Sequence, residues 1–140
     1  SEDIGNADPQ ALVVATAISR AVDFVGMPEC RISLAQGVTY LSLAPRSKAA
    51  YQAIDTAMSD VASEGTRQPP DHLRDGSYPG AKDLGHGQGY KYPHSYPGGT
   101  VAQEYFPPGM EIKDYYSPGD EGFEKELSRR LELMKKKNRL

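Results

Sequence analysis

Proline and glycine partition this chain before any other feature is read. Residues 65–120 hold ten Gly and eight Pro, whereas residues 1–64 hold three of each. Proline removes a backbone donor and clashes with the preceding helical turn, and glycine is unfavourable inside helices. Long regular structure is therefore confined to the first 64 residues and to the tail beyond 120. The middle stretch also carries seven of the nine Tyr and all three His. Tyrosines and apolar residues interrupt it throughout, so it reads as a packed coat and not as a disordered tract. At 140 residues the length suits one domain. The expectation is a mainly α, antiparallel helical bundle in a single domain over 1–140. Helices are expected over 9–26, 28–44, 47–64 and 118–137, with an irregular segment over 65–117 and short strands as an option at Tyr90–Tyr92 and Val101–Phe106.

Each helix follows from spacing and caps. Asp8-Pro9 supplies a cap acceptor and a proline where its missing N–H costs nothing. Leu12, Ala15, Ile18, Val22 and Val25 then recur at three- and four-residue steps, and Val14, Ala17, Ala21 and Phe24 widen the stripe until little polar face remains. A helix that apolar is buried on most sides, in its own chain or in an assembly. Gly26 suits its C-terminal cap. Pro28 restarts the chain, Leu34, Val38 and Leu41 form the next stripe, and Pro45 ends it. Ser47 is the next cap, and Ala50, Ile54, Ala57, Met58 and Val61 make a third stripe that Gly65 closes. The connections are short, so consecutive helices are expected as antiparallel neighbours.

The last helix is expected to start at Ser117-Pro118-Gly119-Asp120, with Ser as cap, Pro at the first position and an acid at the third. Phe123, Leu127, Leu131 and Met134 form a narrow stripe. Acids near its start and Lys135, Lys136, Lys137 and Arg139 near its end complement the helix dipole. That basic end reads first as a dipole-matched terminus and second as a DNA or acidic-partner contact.

The chemistry-bearing motifs of the middle are weak. Gly85-His86-Gly87-Gln88-Gly89 lacks the Lys-Ser/Thr ending of a phosphate loop and has no flanking strand and helix. His72, His86 and His94 match no compact zinc spacing, and Cys30 lies far from them in sequence. Cys30 has no base partner in view and reads as a packing residue. Tyr90-Lys91-Tyr92 with His94 interleaves aromatic and basic groups, as a single-strand stacking platform would. Residues 65–120 are nevertheless net −2, and strand binding needs a positive groove. Packing or an oligomer interface is the leading reading, with Phe24, Tyr40, Tyr90, Tyr92, Tyr105 and Phe106 as candidates. Neither catalytic, cofactor nor metal residues are assigned.

The overall net charge of −3 excludes a general polyanion binder, and one Cys excludes an internal disulfide framework. The longest apolar run is far too short to span a bilayer, and no signal peptide opens the chain. The expected setting is intracellular.

An ordered set of motifs then resembles a known family. It runs through Ser1-Glu2-Asp3-Ile4-Gly5, Ala7-Asp8-Pro9, Val25-Gly26-Met27-Pro28-Glu29 and Leu41-Ser42-Leu43-Ala44-Pro45-Arg46-Ser47. It continues through His72-Leu73-Arg74, Gly85 to His94, Tyr105-Phe106-Pro107, Tyr115-Tyr116-Ser117-Pro118 and Gly122-Phe123-Glu124. Together these resemble the C-terminal domain of the replication-associated recombination protein A family, whose eukaryotic relative is the Werner-helicase-interacting ATPase. The family is similar to clamp loaders. The resemblance implies a mostly helical, non-catalytic domain that joins subunits into a homotetramer. It also implies an N-terminal AAA+ core that holds ATP and Mg, so that the present chain is a fragment without cofactor. Further implications are DNA-stimulated ATP hydrolysis at stalled forks, contact with forked or single-stranded DNA and with single-strand-binding protein, and a cytoplasmic, nucleoid-associated location. The alternative is a domain that itself touches DNA or single-strand-binding protein. One departure is local. Members carry an Asn-Ala-Pro-Thr-Lys-like run leading into a short helix, where this chain has Asp75 to Leu84 with two glycines and a proline. A helix there has room to begin only near Pro79.

Overall fold

A computed structural model describes residues 1–138. Four α-helices form: α1 (Gln10–Val25), α2 (Cys30–Leu43), α3 (Ala49–Glu64) and α4 (Glu124–Asn138). Single 3-10 turns occur at Gly5–Ala7, Asp71–Leu73, Pro93–Ser95 and Pro97–Gly99, and no strand forms among the described residues. The chain is mainly helical with one long irregular segment.

It divides into two compact units. The first comprises Ser1–Ser59 and Tyr115–Arg129, and the second comprises Asp60–Asp114 and the chain from Arg130 onward.

In the first unit α1 and α2 form an antiparallel hairpin. Tyr40, near the end of α2, donates its hydroxyl to Asp8 Oδ2 beside the start of α1 at 2.8 Å. At mid-length the helices come so close that a Cβ on Gly37 would overlap Ile18 Cδ1. Gly26 closes α1 at φ 75°, donating its N–H to Val22 O, and its own carbonyl accepts from Cys30 N–H. Pro28 and Glu29 lie in that turn, so α2 opens at Cys30 and not at residue 28. Ala44 is extended (φ −66°, ψ 143°), the conformation that a following proline imposes. Ser47 Oγ accepts from Ala49 N–H at 3.1 Å, and α3 begins at Ala49 instead of residue 47.

The largest correction concerns α4, which begins at Glu124, six residues after the expected position 118. Gly122 adopts φ 52°, which a continuing helix does not permit, and Phe123 N–H leaves the helix to bond Ala7 O at 2.7 Å. A Cβ at Gly122 would overlap that carbonyl and lie 2.7 Å from Pro45 Cγ. Tertiary bonds thus override a sound local helix start.

In the second unit the Gly-rich stretch is folded by its backbone. Gly87 N–H donates to Asp71 O at 2.8 Å, and His86 N–H to Ala81 O at 3.0 Å. A Cβ on Gly76 would sit 2.9 Å from His86 O, so glycine is required there. Residues 78–85 make successive turns without becoming a helix. The two expected strands do run beside each other, but a side chain pairs them. The Gln103 amide accepts from Lys91 N–H (3.2 Å) and donates to Lys91 O (3.1 Å), and Lys91 Nζ donates to Ala102 O. Gln103 thereby supplies the two bonds that a neighbouring strand residue would have made. Lys113 ties the segment to the end of α3 through Asp60 Oδ2 at 2.8 Å.

Candidate interaction surface

Among the described residues the buried apolar side chains are Ala7, Ala11, Cys30, Ala49, Pro70 and Ala81. All are small. Leu, Ile, Val and Phe are the residues that usually fill a core, yet none of those described is buried. The apolar stripes read from the sequence form, but they are only partly covered: Ile18, Val22 and Leu41 are half-buried and many others are exposed. Phe24 is 93% exposed at the end of α1, Leu43 is 87% exposed at the end of α2, and Met27 and Ile32 are exposed in and after the hairpin turn. On α3, Ile54, Met58 and Val61 are exposed in the same way. A groove of about 510 Å³ lies between the first four residues and the hairpin, floored by Leu12, Ala15, Val38 and Leu41.

The six sequence-derived interface candidates do not form one cluster. Phe24 lies at the turn end of the hairpin and Tyr40 at its open end. The hydrogen bond to Asp8 raises the Tyr40 phenol above its ordinary value, because the hydroxyl can donate that bond only while it keeps its proton. Tyr90, Tyr92, Tyr105 and Phe106 belong to the second unit; Phe106 is half-buried and the three tyrosines are exposed. Gln103 bridges the Tyr90–Tyr92 stretch to Tyr105, since its amide contacts the Tyr105 hydroxyl at 3.1 Å as well as the Lys91 backbone. Tyr92 lies against His94 with ring centroids 5.1 Å apart.

Of the basic candidates, Lys135 is bonded to Asp114. Lys136 is exposed. The Lys137 side chain and Arg139 lie outside the described residues.

The histidines are separated by their partners. His72 Nε2 is 2.8 Å from Glu104 O. His86 is buried, with Nδ1 2.5 Å from the Tyr78 hydroxyl and Nε2 4.0 Å from Asp71. Among the described residues no three His, Cys, Asp or Glu converge in a metal-holding group. Buried Cys30 points Sγ at Met27 Sδ, 3.3 Å away.

One polar cluster is invisible to spacing arguments. Glu124 is fully buried and its carboxylate accepts three hydrogen bonds. Oε2 takes Ser47 Oγ–H and Gly119 N–H, each at 2.7 Å, and Oε1 takes the Tyr116 hydroxyl at 3.0 Å. Tyr116 in turn accepts from Asn6 Nδ2 at 3.2 Å, and burial pushes its phenol above the ordinary value. Asp3 O accepts from Ser47 N–H. The sequence trace of this cluster is the Gly122-Phe123-Glu124 motif. A hydrogen-bonded carboxylate inside a fold leaves no periodic signature.

No helix among the described residues is long and apolar enough to cross a membrane.

Known proteins resemble this chain over nearly all of it. The family described as MgsA AAA+ ATPase C terminal matches residues 1–135. An AAA-domain protein of Mycobacterium tuberculosis is 45% identical over 96% of this chain and 30% of its own length. The replication-associated recombination protein A of Bacillus subtilis is 44% identical over 97% of this chain and 33% of its own. The ATPase WRNIP1 of Dictyostelium discoideum is 34% identical over 83% of this chain and 13% of its own. The chain thus spans about a third, or less, of these relatives. The helical pair α1–α2, the glycine-built coat and the Tyr116–Glu124 anchor all lie within the matched region, and the chain belongs to the family of C-terminal domains of MgsA-type AAA+ ATPases.

Proposed function

We propose that this domain is a non-catalytic assembly domain that joins copies of an AAA+ ATPase, as a homotetramer, for replication-associated recombination and repair at stalled forks. One observation carries the reading: every buried apolar side chain among the described residues is Ala, Cys or Pro, while Leu, Ile, Val and Phe are at most half-buried and many are exposed. Exposed apolar surface on this scale marks an interaction face. ATP and Mg belong, in this reading, to the ATPase part of the full-length protein, and so does DNA-stimulated hydrolysis. The full-length protein meets DNA forks, single-stranded DNA and single-strand-binding protein, in the cytoplasm at the nucleoid. The names of the replication-associated recombination relatives support the process.

Sedimentation equilibrium over a wide concentration range tests assembly directly. A tetramer, or a dimer that grows with concentration, is the expected result. A monomer at every concentration overturns it for this chain.

A second reading rests on Lys136, which is exposed on the basic end of α4. It makes the domain a contact for DNA or for single-strand-binding protein. It expects salt-sensitive binding to forked or single-stranded DNA. Replacing Lys136, Lys137 and Arg139 by Gln then weakens binding and lowers the salt slope. Unchanged binding removes this contact.

A further inference from the structure

We propose that α4 has two alternative start points, and that the Glu124 carboxylate is the latch selecting the shorter helix. The longer start is written locally. Ser117 is a cap residue, Pro118 suits the first helical position, and Asp120 and Glu121 place acids in the first turn. The shorter start is written in tertiary contacts. Glu124 is drawn inward by Ser47, Gly119 and Tyr116, and Phe123 N–H is held by Ala7 O. These bonds are incompatible with a helix through 118–123. The Gly119 N–H bond to Glu124 and the positive φ of Gly122 both require the chain to be bent there.

The two states are mutually exclusive because they use the same groups. A buried carboxylate is tolerated only while its donors are in place, so the latch holds as a set and is lost as a set. On release, residues 118–123 can join α4 and lengthen it by six residues, or about 9 Å. Gly119 and Gly122 weigh against the long helix, which keeps the latched state dominant. Asp3, Asn6 and Ala7 are the latch's partners on the chain's first segment. Displacing that segment therefore changes the length of a helix that is distant from it in sequence.

The test compares the 140-residue chain with its Glu124→Ala, Gly122→Ala and Tyr116→Phe variants, using Cα chemical shifts and amide exchange across 117–124. Gly122→Ala acts on both sides: alanine favours helix and cannot fit beside Ala7 O. Helical shifts over 118–123, with amide exchange at position 122 slowed at least tenfold relative to the parent, are expected in Glu124→Ala and Gly122→Ala. Adding Ser117→Ala should reduce them. Tyr116→Phe removes one donor and is the mildest variant, so it keeps the test open if the other two unfold; a smaller helical shift is expected. Folded variants whose 118–123 shifts stay non-helical overturn the proposal, as do variants in which that segment becomes random coil.

Discussion

Glu124 shows what a single side chain does when it is fully enclosed. Removing a carboxylate from water is costly, and three hydrogen bonds from Ser47, Gly119 and Tyr116 offset that cost. Truncation leaves those donors without their shared acceptor. Glu124→Ala is therefore expected to destabilise the chain by about 2–4 kcal/mol in denaturant unfolding, well beyond an ordinary surface change. Tyr116 adds a pH dependence of known sign. Its pKa is raised in the folded chain, chiefly by burial, so the neutral phenol is the form that folding favours. That stability is complete below the ordinary tyrosine value of about 10 and is lost as pH rises through the raised folded value. Thermal melts above that pH should fall in the parent and fall less steeply in Tyr116→Phe. An equally steep fall in both would place the alkaline sensitivity elsewhere.

Elements in this chain are joined at points where a missing side chain matters. Gly37 lets α1 and α2 meet at Ile18. Gly37→Val forces the flexible end of Ile18 aside and is expected to cost about 1–3 kcal/mol, read as a lower urea midpoint with an unchanged slope. In the second unit, one side chain substitutes for a ladder. Gln103→Ala deletes both amide bonds to Lys91, so exchange of the Lys91 N–H should accelerate at least tenfold while the exchange of α1 and α2 amides stays unchanged. Unaltered Lys91 exchange would mean that other contacts hold the two segments together.

Across the whole molecule, burial of small side chains contrasts with exposure of large ones. A Leu or Phe side chain gains about 1.5–3 kcal/mol on full burial, so exposed side chains such as Phe24 and Leu43 are a driving force that the isolated chain does not use. If copies cover the hairpin, Phe24→Asp together with Leu43→Asp should weaken self-association by at least tenfold, by sedimentation, without changing the far-ultraviolet circular dichroism. Association of unchanged strength would exclude both residues from the interface and direct attention to the α3 stripe of Ile54, Met58 and Val61.

Local sequence signals set where helices run in the first 64 residues. Gly26, Pro45, Ser47 and Gly65 end or start α1, α2 and α3 within a residue or two of where caps and breakers put them, because these signals act through backbone dihedral angles and near-neighbour bonds. The family was legible in the order of the motifs. Three things arose only in three dimensions. Ser117-Pro118 is a competent helix start, yet α4 begins at Glu124, since bonds to Ala7, Ser47 and Tyr116 outweigh a local cap. Two expected strands are paired by the Gln103 amide, a contact that has no period. Much of the apolar stripes remains exposed among the described residues, because periodicity reports which face is apolar and not what covers it. Local propensity reaches a few residues along the chain, whereas the hydrogen bonds between Asn6 and Tyr116 and between Ser47 and Glu124 join positions brought together only by folding.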